Sequence, residues 1–85
     1  MSKFEKLLEQ ILRGTSDKNI QFQELVSLLN RLGFSQRIKG SHHIFSMEGI
    51  AEIINLQPSN ENKCKPYQVK QVRELIVKYK LAQKI

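Results

Sequence analysis

Cysteine is almost missing from this chain. Cys64 stands alone, so no internal disulfide can form. One cysteine beside two adjacent histidines, His42 and His43, does not make a zinc ligand set. Long apolar runs are missing as well, and none approaches the roughly 20 residues that cross a bilayer. The start, Met1-Ser2-Lys3-Phe4-Glu5, reads as a charged amphipathic segment rather than a secretory signal. The expectation is therefore a cytoplasmic protein with no membrane association. There is no glycine-rich loop to cradle a phosphate, no GxSxG turn, no repeat, no low-complexity tract and no domain linker. Acidic residues are few and scattered. Glu48 and Glu52 flank a candidate strand, but without a second carboxylate cluster they do not make a nuclease metal site. Neither a metal nor a cofactor is expected.

Positive charge is plentiful. Fourteen Lys and Arg against eight Asp and Glu give a formal net charge of +6. Such a field draws in polyanions. It suits nucleic acid, an acidic protein partner or a membrane surface, and charge alone does not choose among them. The 85 residues suffice for one domain, expected to span the whole chain with its core over about 19–82. A chain of this size buries roughly 60–65% of its unfolded surface.

Phe4, Leu7, Leu8, Ile11 and Leu12 recur at helical spacing, which predicts a helix over Ser2–Arg13. Ser2 and Glu5 have capping-box spacing, and Gly14 supplies a stop. A second helix is predicted over Phe22–Leu32, from the stripe of Phe22, Leu25, Val26, Leu29 and Leu32. Gln21 is a poor cap for it. Gly33 reads as a left-handed stop that lets Phe34 contact Leu29. The pattern then changes to short strands: Phe34–Lys39, His42–Met47 and Ala51–Gln57. Gly40-Ser41 and Glu48-Gly49 are two-residue turn signals, so the strands should pair as antiparallel hairpins. Pro58–Lys65 is polar and reads as a mobile loop. Pro66 suits the first turn of a last helix, predicted to run to about Ala82 with Val69, Val72, Leu75, Ile76 and Tyr79 buried. The fold class is α+β in the order α-α-β-β-β-α: a three-stranded antiparallel sheet with helices on one face. This is the outline of a double-stranded-RNA-binding domain with an extra N-terminal helix.

The stretch most open to chemistry is Arg37-Ile38-Lys39-Gly40-Ser41-His42-His43-Ile44-Phe45. Neighbouring strand residues point to opposite faces. His42 and His43 therefore cannot share one metal or act as an acid–base pair; either one is functional and the other structural, or both are structural. Imidazole can take a ribose 2′-hydroxyl proton as that oxygen attacks its neighbouring phosphate, or protonate the leaving 5′-oxygen. Arg37, Lys39 and Ser41 are close enough in sequence to stabilise the extra charge. No metal is needed, and DNA lacks the required hydroxyl. Lys70 and Arg73 share one face of the last helix and could follow a phosphate backbone. Each of these residues also fits an ordinary solvated face, and Tyr67 fits base stacking or packing. Cys64, in the polar loop, is given no role.

Arg31-Leu32-Gly33-Phe34, followed by the Arg37–Phe45 stretch with Gly40-Ser41-His42-His43 at its centre, resembles the HicA toxin family. The closing helix over Val69–Leu81 fits the same pattern, so the resemblance covers about Asn19–Leu81. It implies a double-stranded-RNA-binding-like fold and a ribosome-independent mRNA interferase. It implies His42 as the catalytic residue, His43 in support, and a HicB-like antitoxin as partner beside the RNA substrate. Three features depart from the family: the added Ser2–Arg13 segment, a longer polar loop at Ser59–Lys65, and the acidic Glu48 and Glu52. Two other readings use the same residues. One is an RNA-binding module without catalysis; the other is a domain whose basic face docks an acidic protein.

Overall fold

The local signals in the sequence decide where each element starts and stops. In a computed structural model, residues 2–85 are described; Met1, the first residue of the charged start, lies outside them. Helix α1 spans Lys3–Arg13. The Ser2 hydroxyl accepts from the Glu5 amide at 3.1 Å and the Glu5 carboxylate accepts from the Ser2 amide, so the capping box forms as read. Helix α2 spans Phe22–Leu32. Gly33 closes it at φ 106°, a left-handed value that a side chain would strain. The Phe34 amide then donates to the Leu29 carbonyl at 3.0 Å, and Phe34 is buried.

Strands β1 (Ser35–Lys39), β2 (His42–Met47) and β3 (Ile50–Leu56) form one antiparallel sheet in that order. Lys39 pairs with His42 across the Gly40-Ser41 turn, and Gly40 takes φ 61°, as a two-residue connection demands. Pairing of β2 with β3 is irregular. Between Phe45 and Met47 on β2, the partner changes from Ile54 to Ile50, so β3 advances four residues against two. An even difference leaves each side chain on its own face. Phe45, Ile54 and Leu56 therefore all point to the covered side and are fully buried.

Helix α3 spans Pro66–Lys78, four residues shorter than the expected end at Ala82. The reason lies in Leu81. On a continued helix it would sit about 140° from Ile76, off the buried stripe. Instead Tyr79 caps the helix, Lys80 takes φ 54°, and a 3₁₀ turn over Leu81–Lys84 brings Leu81 into the core. Side chains of α1, α2, α3, β2 and β3 meet in one hydrophobic cluster, which covers a single face of the sheet.

The polar loop differs most from expectation. It is tied down rather than loose. The Asn62 carbonyl accepts from the Phe22 amide at 2.9 Å, and the Ile20 carbonyl accepts from the Cys64 amide at 2.9 Å. Gln21 and Lys63 form an antiparallel bridge between these bonds. The loop thus satisfies the first turn of α2, which Gln21 does not cap with its side chain. Cys64 is buried, and burial, with Glu24 adding to it, pushes its thiol up to about 12.

Candidate active site on the open sheet face

Strand pleating sorts the histidine doublet. His43 shares the covered side with Phe45. Its ring meets Phe22 edge-on at 4.9 Å between centroids, and its Nδ1 accepts from the Gln36 amide at 3.2 Å. Those contacts hold His43 as part of the packing. His42 points the other way and is exposed on the uncovered face.

The register builds a small grid around His42. Lys39 lies beside it on β1. On the next rung Arg37 pairs with Ile44, which pairs with Asn55 on β3. On the third, Ser35 pairs with Ser46. His42 Nδ1 donates to Asn55 Oδ1 at 3.0 Å. In the neutral ring, that bond places the proton on Nδ1 and leaves the lone pair on Nε2. At the hairpin tip, Gln57 Nε2 donates to Ser41 Oγ at 3.0 Å, which ties the turn to the end of β3. An exposed imidazole with an oriented tautomer and two cations on its flank can accept a proton from a substrate anion's neighbouring hydroxyl.

The structure thus brings Arg37, Lys39, Ser41 and His42 together. It does not bring Lys70 or Arg73 to them, because α3 packs against the covered face. Lys70 is exposed on that helix layer. Arg73 is already engaged. Its Nη1 donates to Asp17 Oδ1 at 3.0 Å and to the Ile11 carbonyl at 3.1 Å, with both charged side chains only about one-fifth exposed. The arginine joins α1 to α3 and the turn at Asp17–Asn19, on the helix side of the sheet.

The acidic residues also sort by face. Glu52 lies on the covered side of β3, where Lys78 Nζ meets Glu52 Oε2 at 2.7 Å and the Tyr79 hydroxyl donates to Oε1. These two donors, Lys78 first, hold its carboxyl down at about 2. Lys78 is in turn pushed up by Glu52. Glu52 therefore does not oppose an anion on the open face. Sequence reasoning missed Asn55 and Gln57. Alternation on β3 puts Asn55 opposite in sense to the buried Ile54 and Leu56, but the uneven pairing hid which outward residue it would reach. Among the described residues, no three His, Cys, Asp or Glu side chains converge to hold a metal ion. A recess of about 530 Å³ lies elsewhere, between α1 and the chain's last turn. Its carboxylates are engaged by the α1 cap and by Arg13.

Helices on one side and a basic, histidine-bearing sheet face on the other define a small α+β protein with one open sheet face. The profile of the family described as HicA toxin of bacterial toxin-antitoxin matches residues 22–81. That is well over half of the chain, and the protein belongs to the HicA toxin family. Helix α1 precedes the matched segment. No curated protein and no solved structure gives a significant match. Among the described residues, no helix is long and apolar enough to cross a membrane.

Proposed function

We propose that this toxin is an mRNA interferase that cleaves RNA in the cytoplasm by a metal-independent reaction centred on His42, and that a HicB-like antitoxin restrains it. The observation that carries this reading is His42 on the open face, flanked by Lys39 and oriented by Asn55. In the reaction, His42 Nε2 takes the proton of a ribose 2′-hydroxyl as that oxygen bonds to the adjacent phosphorus. The bond from phosphorus to the 5′-oxygen breaks, and the 5′-oxygen takes a proton from water or from the imidazolium. The products are a 2′,3′-cyclic phosphate and a free 5′-hydroxyl. Lys39 and Arg37 offset the charge that builds on the phosphate oxygens. Ser41 can donate its hydroxyl to the same group while its oxygen accepts from Gln57. Lys70 and Arg73 stand outside this set.

The test is induction of the wild-type chain and of His42→Ala in a bacterial host, with growth and RNA integrity followed together. Wild type should arrest growth and degrade RNA. A folded His42→Ala should lose at least about a hundredfold in cleavage rate, the scale of a lost general base. Equal behaviour of the two chains would leave only an RNA-binding or protein-binding role. A second readout is the product end: a cyclic phosphate fits the reaction above, whereas a 3′-hydroxyl does not.

A further inference from the structure

The open face carries an apolar patch where solvent alone would favour polar residues. Ile53 is 59% exposed. With Ile44 it floors a recess of about 210 Å³, rimmed by Ser35, Ser46 and Arg37. Ser35 and Ser46 face each other across β1 and β2, and Arg37 lies directly beside Ile44. Ile44 is the next outward residue after His42 on the same strand, about 7 Å along it at two residues' rise. That is the reach of one nucleotide from a phosphate held at His42.

We propose that this recess is a nucleobase subsite, which seats the base of an unpaired nucleotide next to the scissile phosphate. The proposal rests on the reading of His42 as an RNA-cleaving centre. A nucleobase has an apolar face and a polar edge. The two isoleucines match the face, and the two serine hydroxyls match the edge. Arg37 sits where its planar guanidinium can stack on the ring or meet the flanking phosphate. Continuity with the His42 centre and the basic rim favours RNA here over an apolar side chain from a protein. Bases in an A-form duplex keep their faces stacked, so the substrate must be single-stranded at this point. The subsite thus supplies substrate selection, while His42 supplies the chemistry.

The experiment uses a short single-stranded RNA whose cut by the wild-type chain has been mapped. His42→Ala protein then measures binding without turnover. The intact strand is compared with strands made abasic at each position flanking the cut. At one flanking position the abasic strand should bind about tenfold or more weaker, the scale of one lost stacking contact. Adding Ile53→Ser to His42→Ala should weaken the intact strand by a similar factor. It should also abolish the difference between intact and abasic strands. Equal binding of all strands overturns the proposal and returns the patch to a protein partner. So does a difference that survives Ile53→Ser. The abasic comparison needs no change to the recess, so it stands whatever Ile53→Ser does to folding. If wild type and His42→Ala cleave the RNA alike, the underlying reading fails instead, and the two failures are told apart by whether a His42-dependent cut exists.

Discussion

At the scale of single residues, the contact between Asn55 and His42 has a direct kinetic meaning for the proposed reaction. Asn55 does not reach the reacting atoms; it fixes which ring nitrogen is free to accept a proton. Asn55→Ala should lower kcat by about 10- to 100-fold, the scale seen when a hydrogen-bond partner that orients a metal-bound histidine is lost. KM for RNA should change little, which a binding defect would not reproduce, and an unchanged melting temperature would exclude a folding defect. Asn55→Asp keeps the acceptor but adds a negative charge, which favours the protonated ring. The acid limb of the pH–rate profile should therefore move to higher pH, as steady-state cleavage across pH 5–9 would show. Cys64 makes the opposite point. Its thiol sits at about 12 through burial, so at neutral pH the thiolate is scarce and shielded. Iodoacetamide should leave the native protein unmodified over the time in which it fully alkylates the protein in denaturant, as mass spectrometry would read.

Elements were legible in proportion to how local their causes are. The capping box of α1, the stop at Gly33 and the turn at Gly40-Ser41 depend on residues within a few positions of one another, and each forms as the sequence predicts. The two histidines sort by face because pleating is itself local. Three features escaped because their causes are distant. The loop around Asn62 is held by α2's own first turn, some forty positions earlier in the chain. Arg73 is claimed by Asp17 and Ile11, which lie on other elements. Helix α3 ends early because Tyr79 meets Glu52 and Leu81 turns inward. That last break leaves Lys80 at φ 54°, a region where a Cβ is crowded. Lys80→Gly removes the crowding and should stabilise the fold by up to about 1 kcal/mol, net of the added freedom of the unfolded chain. Urea unfolding with an unchanged slope would confirm it; a loss of stability would mean that the Lys80 side chain contributes packing there.

For the molecule as a whole, acid stability should follow the contact between β3 and the end of α3. Glu52 binds its proton at about 2 when folded, against an ordinary 4.5. A depressed carboxylate stabilises the fold above the ordinary value, and that contribution disappears as pH falls from about 4.5 towards 2. Glu52→Gln should therefore lower the melting temperature at pH 6 and flatten its decline across that window, as melts at half-unit pH steps would show. If both chains decline in parallel, another carboxylate carries the acid sensitivity. The back-to-back histidines have a consequence for heredity. Phe45 is anchored in the core, and it dictates that odd-numbered neighbours on β2 face inward. His43 is therefore no spare for His42, although it has the same side chain one codon away. Under the proposed reaction, a lineage that loses His42 to a single base change is disarmed at once, and reversing that change is the simplest way back, since turning His43 outward would dismantle the core that Phe45 anchors.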